Sequence, residues 1–383
     1  MPLNEKAYAK FLTEYAEELD IAPSKYQQAV ERYKAVGSWL ADSESLACNG
    51  IAPMIYAQGS FRLGTVVRPL RGSKEGDYDI DLVCELKHLK SMVEPSNVKH
   101  TVGDRLKEHG TYQAMLDDEG RRCWTLEYAE QDGVGFHLDV LPCVIDTINV
   151  TGTAVSLTHK TEEGHYSWSS SDPNAYANWF LEKNKAAYLL AEQEQKQRIY
   201  QYNAVVFDSI ADVPDQLVRT PLQRAIQILK RHRDIDFDSK DAAKYAPISM
   251  IVTTLAAQVY DGEPNVYLAL RGIRDQLIRR ESDGTWYIGN PVNPDENFAD
   301  RWHEDGNARA RMFFAWVERV NNDLVEIISS YDRKGVRAAL VGGLGSAFID
   351  RKFDDIWPLV NPKPNVEAAR VQISEGQRPW RKV

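Results

Sequence analysis

The chain has no long uninterrupted apolar run, so no membrane-spanning helix is expected. Its first residues, MPLNEKAYAKFLTEY, lack both a basic leader and a continuous apolar core, so they do not read as a secretion signal. Cysteine is scarce and scattered. The four residues Cys48, Cys84, Cys123 and Cys143 form no C-x-x-C pair. That argues against a zinc ribbon or a disulfide framework and fits a reducing, cytoplasmic setting. Positive charge is also short, with 46 Lys and Arg against 56 Asp and Glu and a net charge of −10. A protein that grips long DNA or RNA normally presents a basic face, so long nucleic acid is disfavoured as substrate or activator. No repeat or low-complexity tract is visible. At 383 residues, 43% hydrophobic and 27% charged, the composition is that of a globular protein of two domains or one bilobed one.

Periodicity divides the chain. Leu12, Tyr15, Ala16, Leu19 and then Tyr26, Ala29, Val30, Tyr33 recur at helical steps, with a break at Pro23-Ser24, where Ser24 is a candidate cap for the second helix. Residues 53–58 read as a short strand ending at Gly59-Ser60, and a helix is expected to begin within 61–67. Tyr78 to Glu85 alternates as a strand, and 122–129 with 135–142 read as an antiparallel pair. From about residue 170 the spacing turns helical, over 174–197, 215–234, 247–261, 264–280 and 303–331. The expectation is an α+β half over 1–170, a helical half over 171–360, and a tail over 361–383 with little periodicity.

Chemistry concentrates in YAQGSFRLGTVVRPLRGSKEGDYDIDLVCE. In a strand, residues i and i+2 share a face, so Asp79 and Asp81 project together, away from apolar Tyr78, Ile80 and Leu82. Two adjacent carboxylates repel unless a cation lies between them, and magnesium takes oxygen ligands. Asp139, on the strand expected over 136–141, adds a third acid if the two strands are neighbours, enough for two metal ions. Asp77 also shares this face, leaving a 77/79 pair as an alternative, although it reads better as the strand's entrance. Alternating acids are ordinarily just a solvated strand face. Gly59-Ser60 changes the balance: a glycine lets backbone approach phosphate, N–H groups at a helix start favour anions, and Ser60 and Gln58 add side-chain donors. In TPLQRAIQILKRHRDIDF, Lys230 and neighbouring arginines suit a triphosphate, or else form a solvated basic face. Ser249, in YAPISMIVTTLAA, is taken alone an ordinary polar residue in the first turn of a buried helix.

QGS, the strand YDIDL and the later LDV resemble the polymerase β-like nucleotidyltransferase superfamily. QGSFRLGT, DYDIDLVC, ILKRHRD, PISMIVTTLAA and NPVNPDENFADRW, in that order, narrow the resemblance to the bacterial cGAS/DncV-like nucleotidyltransferases, over about residues 50–305. The resemblance implies a polymerase β-like core with a helical lobe as in oligoadenylate synthetases. It implies synthesis of a cyclic oligonucleotide second messenger in anti-phage defence, from ATP and GTP, with a purine dinucleotide of the cyclic GMP-AMP kind ahead of a trinucleotide. Asp79, Asp81 and Asp139 are implied as ligands of two Mg2+ ions, with Mn2+ as a substitute, and Asp139 as helping to deprotonate the attacking hydroxyl. Gln58, Gly59 and Ser60, with Lys230 and Ser249, are implied to hold substrate phosphates. Companion regulatory or conjugating proteins and an effector reached through the product belong to the same implication. The His and Cys insertion by which the animal synthase grips DNA has no counterpart here. Other polymerase β-like transferases, acting on tRNA, protein or a small molecule, stay open as the alternative.

Overall fold

The structure, a computed structural model, describes residues 4–68, 70–71, 74–131, 134–147, 151–202, 218–282, 286–330 and 332–360; the tail expected over 361–383 lies outside the described residues. Two helices open the chain, α1 (Glu5–Glu18) and α2 (Pro23–Ala41). The break between them falls where expected, but Ser24 is not the cap. Ala22 precedes the helix, Pro23 takes its first turn, and no side chain caps it. Proline's fixed φ and missing N–H suit that position, so the helix starts two residues earlier than a serine cap would allow.

The strands are β1 (Met54–Gln58), the short ribbon β2 (Leu70–Arg71) and β3 (Lys74–Glu75), β4 (Tyr78–Leu89), β5 (Trp124–Gln131), β6 (Val134–Ile145), β7 (Val155–Lys160) and β8 (Tyr166–Ser171). The main sheet runs β1-β4-β6-β7-β8, with β5 also paired to β6. Only β4 and β6 are parallel; every other pairing is antiparallel. β5 and β6 confirm the expected antiparallel pair. The helix expected within 61–67 starts earlier and is shorter: α3 (Gly59–Leu63) stops at Gly64, whose φ of +64° ends it in the left-handed region. A Cβ on Gly64 would lie 2.6 Å from the Gln223 amide nitrogen, so no other residue fits there without displacement.

Helices α4 (Pro95–Lys107) and α5 (Gly110–Met115) follow β4. The helical half comprises α6 (Pro173–Tyr202), α7 (Pro221–Asp236), α8 (Ser249–Val259), α9 (Val266–Ser282), α10 (Ala308–Val320), α11 (Arg333–Leu344) and α12 (Ser346–Val360). None of the described helices is long and apolar enough to cross a membrane.

Two large cores result. Tyr78, Ile80 and Leu82 of β4 and Phe136, Leu138 and Val140 of β6 pack against α2 and α4. This is the apolar face that strand alternation demands, and it turns the odd-numbered acids of β4 the other way. The second core lies among α6 to α12 and takes in Tyr8, Phe11, Leu12 and Tyr15 of α1. The Tyr8 and Tyr15 hydroxyls donate to the carbonyls of Leu324 and Leu344, at 2.8 and 2.7 Å. Thus α1, grouped above with the N-terminal half, packs on the helical half, while α2 packs on the sheet. Periodicity defined the apolar face of α1 but not the element that covers it.

Close packing beneath β5 depends on Gly103 of α4, where a Cβ would sit 2.4 Å from two ring carbons of Trp124. The Trp124 indole cannot retreat, because its N–H donates to the Lys99 carbonyl at 2.9 Å. Gly103→Ala is therefore expected to cost about 1–3 kcal/mol by overpacking, read as a lower urea midpoint. An unchanged midpoint would show that this contact is not tight.

Candidate active site

The register of the parallel pair builds the centre of the site. Asp79 lies opposite His137 and Asp81 opposite Asp139. From the other sides, Gln58 of β1 pairs with Asp81 and Thr125 of β5 pairs with Asp139. The Thr125 hydroxyl donates to Asp139 Oδ1 at 2.6 Å and fixes that carboxylate. Asp77 does something else: its Oδ1 accepts from the Gly135 backbone N–H at 2.8 Å, tying the start of β6 beside β4. It behaves as the strand's entrance, as its sequence neighbours suggested.

Crowded carboxylates make the site electrostatically unfavourable by itself. Burial, reinforced by the negative charges of Asp139 and Asp79 and opposed by Lys230, pushes the Asp81 carboxyl up to about 7. Asp79 escapes by turning outward. Its side chain is 76% exposed and lies 3.4 Å from His137 Nδ1. Among the described residues, no group of three His, Cys, Asp or Glu side chains is already closed into a metal cage. The donor set nonetheless fits a hard divalent cation: three carboxylates on one sheet face, with unrelieved repulsion at Asp81.

Gly59 joins the turn to the acids. Its φ is +67°, and a Cβ there would lie 2.1 Å from Asp81 Oδ2, so the carboxylate occupies the space a side chain would need. Ser60 follows on α3, and its carbonyl accepts from the Thr65 N–H at 3.0 Å, closing the turn. Behind it, α7 presents a row of polar side chains to the chain leaving the turn. Gln223 Nε2 donates to the Leu63 carbonyl at 2.9 Å, and Gln227 Nε2 to the Val66 carbonyl at 2.8 Å. Lys230 Nζ donates to the Thr65 carbonyl and hydroxyl at 3.0 and 3.2 Å. The solvated basic face offered above as one reading of this segment is therefore incorrect, because Arg224, Lys230 and His232 are buried. Burial, with Arg233 adding to it, brings the Lys230 ammonium down to about 7, against the pull of Asp234 and Asp81. Ser249 opens α8 and accepts from Arg233 Nη1 at 3.0 Å. Arg233, rather than Lys230, thus connects Ser249 to α7.

A cleft of about 190 Å3 opens beside Gln58, Gly59 and Asp81. Leu141 and Leu157 of the sheet form one wall, and Ile248, Met250 and Phe298 the other; Arg122, Ser171, Asn290 and Glu296 are its polar lining. A roomier cavity of about 990 Å3 lies behind α3, between α2 and α6, and contains none of the three aspartates. The smaller cleft is the candidate site because the chemistry lies there. Sequence reasoning did not single out Arg62, whose Nη1 donates to Asn174 at 2.6 Å, nor Arg122 and Glu296. Arg62 stands close to the Gly-Ser turn, a signal that could have found it, whereas Arg122 and Glu296 become neighbours of Asp81 only through the fold.

The raised Asp81 has a stability consequence. Between its unfolded value near 4 and its folded value of about 7, the folded state holds a proton that the unfolded state has lost, so stability falls as pH rises. Asp81→Asn is expected to be more stable than the parent at pH 8 without divalent ions, on the order of 2 kcal/mol. That advantage should vanish below pH 4. Denaturation curves at the two pH values check this; an equal advantage at both would remove the electrostatic explanation.

Comparison with known proteins agrees with this geometry. Residues 7–184 match the Second Messenger Oligonucleotide or Dinucleotide Synthetase domain. The chain is 30% identical over 318 residues to a c-di-GMP synthase of Roseivirga ehrenbergii, covering 82% of this chain and 77% of that protein. It is 27% identical over 318 residues to the cyclic dinucleotide synthase CdnG of Bradyrhizobium diazoefficiens, covering 76% and 70%. The fold superposes on the solved structure of that CdnG with a TM-score of 0.69 at 21% identity, over 92% of this chain and 99% of the other. It superposes on Vibrio cholerae DncV with a TM-score of 0.59 at 14% identity, over 91% and 97%. With its mixed sheet, its helical half and this level of identity, the chain belongs to the cGAS/DncV-like nucleotidyltransferases, the bacterial enzymes that synthesise cyclic oligonucleotides.

Proposed function

We propose that this enzyme joins two molecules of GTP into a cyclic dinucleotide, a second messenger for anti-phage defence, and that Asp79, Asp81 and Asp139 carry the chemistry. The observation that bears most weight is the pairing of Asp81 with Asp139 and the fit of the Asp81 carboxylate against side-chain-free Gly59, with Asp81 and Gly59 lining a cleft. The choice of guanine draws on the relatives: one is named a c-di-GMP synthase, and CdnG is solved in complex with GTP. A mixed GMP-AMP ring, the expectation from resemblance alone, is the second reading, and DncV, solved with ATP and GTP together, favours it.

In the first step the 3′- or 2′-hydroxyl oxygen of one GTP bonds to the α-phosphorus of another. The bond from that phosphorus to the β-phosphate bridging oxygen breaks, and pyrophosphate leaves with the electron pair. In the second step a hydroxyl of the linear intermediate attacks its own α-phosphorus, closing the ring and releasing a second pyrophosphate. Asp79, Asp81 and Asp139 are the ligands for two divalent cations, magnesium with manganese as a substitute, which when bound lower the pKa of the attacking hydroxyl and neutralise triphosphate charge. Asp139, held by Thr125, receives the hydroxyl proton. Gly59 and Ser60, with Gln58 beside them, accommodate the β- and γ-phosphates. Lys230, poised near neutrality, gains its proton as the triphosphate arrives and adds charge behind the turn. Ser249 contributes a hydroxyl from the start of α8. The E. coli CdnC is solved in complex with a HORMA partner; a companion protein that governs this enzyme belongs to the same reading.

The test is incubation with magnesium and GTP alone, GTP with ATP, or all four NTPs, followed by phosphatase and mass spectrometry. A phosphatase-resistant ring of two GMP units from GTP alone is expected. A product that forms only when ATP is present would favour the mixed ring, and no resistant product under any condition would overturn the cyclase assignment. In the same assay Asp79→Ala should lower product about a hundredfold or more while leaving the thermal midpoint unchanged. Ser60→Ala, which removes one donor among several phosphate contacts, should lower it about tenfold.

A further inference from the structure

Arg122 stands apart from the other polar groups of the cleft. Ser171 and Asn290 both donate to the Glu296 carboxylate, at 3.1 and 2.7 Å. Asp172 is occupied by Thr153 and by the Ala175 N–H. These groups satisfy one another and form a fixed polar wall. Arg122 donates no side-chain hydrogen bond among the described residues, although its charge acts on Glu296. Its Nε is buried without a hydrogen-bond partner. The nearest carboxylate contact of its fork is Asp300, 3.8 Å from Nη2 and beyond hydrogen-bond length. The side chain as a whole is 40% exposed and lines the cleft, so its fork is open to a ligand there.

The remaining walls say what completes it. Leu141 lies two residues beyond Asp139 and so on the same face of β6, and Leu157 stands nearby on β7. Ile248, 50% exposed, lines the same space from the start of α8. Apolar side chains from the sheet and from the helical half, with hydrogen-bonding groups lining the same space, suit a flat heterocycle. At about 190 Å3 the slot suits a single nucleobase rather than a whole nucleotide. A guanidinium offers two parallel donors, and guanine O6 and N7 are two adjacent acceptors. Adenine presents an amino donor in place of O6, which meets those donors unfavourably.

We infer that Arg122 is a specificity-determining residue that reads the O6/N7 edge of guanine in the slot beside Asp81. The inference rests on the two-GTP reading above and gives it a physical basis. It also competes with a plainer role, a general cationic grip on triphosphate, because Arg121 and Arg301 lie close enough, with Arg122, to act on His159.

Calorimetric binding of GTP, ATP and 7-deaza-GTP, with calcium in place of magnesium, separates the two roles without requiring turnover. In the parent protein, GTP should bind on the order of ten to a hundred times tighter than ATP. The 7-deaza analogue, with a C–H in place of N7, should lose about tenfold. Arg122→Ala should bring GTP down to the level of ATP. Arg122→Gln should turn the preference towards ATP, since an amide matches the adenine N6/N7 edge, and Arg122→Lys should restore part of the guanine preference. Thermal melts establish that each variant is folded. Equal loss of GTP and ATP affinity in Arg122→Ala, or 7-deaza-GTP binding as tightly as GTP, would overturn the inference. Because binding is read without catalysis, failure to form a cyclic product would count against the proposed function and leave this result standing.

Discussion

Everything around the candidate site follows from placing Asp81 opposite Asp139 on parallel neighbours with Asp79 two residues away. Such a cluster is unfavourable in the absence of a cation, and the raised Asp81 shows it. The surrounding residues fall into those that tolerate the cluster and those that aim it. Gly59 tolerates it by having no side chain where the Asp81 carboxylate lies. Thr125 aims Asp139 through a short hydrogen bond, and Asp77 holds the two strands in register through Gly135. Packing alone would favour an apolar residue at Asp81. Its presence is a local conflict between stability and chemistry, of the kind expected where function, rather than folding, selects the residue.

The second constraint is that the turn must not move relative to those acids, and α7 enforces it. After α3 ends at Gly64, the carbonyls of Leu63, Thr65 and Val66 face the helical half. Buried carbonyls need partners. Gln223, Gln227 and Lys230 recur at four- and three-residue steps along α7, so one helix face supplies all three donors in sequence. The strand–turn–helix is thereby clamped between the sheet and the helical half, and any displacement of α7 is felt at Gly59. Lys230 is thus both a structural donor and the nearest cation to Asp81 on that side, which explains why it is a buried lysine rather than a third glutamine.

Much of this was legible in the sequence. The alternation of Tyr78, Ile80 and Leu82 against Asp79 and Asp81 determines the face of β4, and the pattern around Phe136 to Leu141 does the same for β6. Once these strands are neighbours the acids converge. What the pattern could not give is long-range packing. The basic residues of α7 left a phosphate-binding role and a solvated face both open, because periodicity marks which residues share a side and not what covers that side. The same limit put α1 with the sheet half, although its aromatic residues lie in the helical core. Gly64 ended α3 earlier than expected, and the crowding that excludes a side chain there comes from Gln223, far away in sequence. Arg122 and Glu296 were missed for the same reason, coming from separate parts of the chain to line one cleft.

That division has a chemical logic. In the proposed reading Asp79, Asp81, Asp139, Gly59, Ser60 and Lys230 act on phosphates and ribose hydroxyls, which every nucleoside triphosphate shares. Their motif is short-range and strong because the transfer chemistry is constant, and for the same reason it carries no information about the base. Discrimination between purines requires groups that meet the base edge, and the polar lining of the cleft beside Asp81 offers candidates for them. Those groups come from the loop before β5, the end of β8 and the segment before α10, three stretches with no pattern in common. Two enzymes of this fold can therefore share every residue that moves phosphate and still make different rings. On the inference drawn above, the identity of the product is encoded by the side chains lining that cleft, among which Arg122 is the one whose Nε has no hydrogen-bond partner among the described residues.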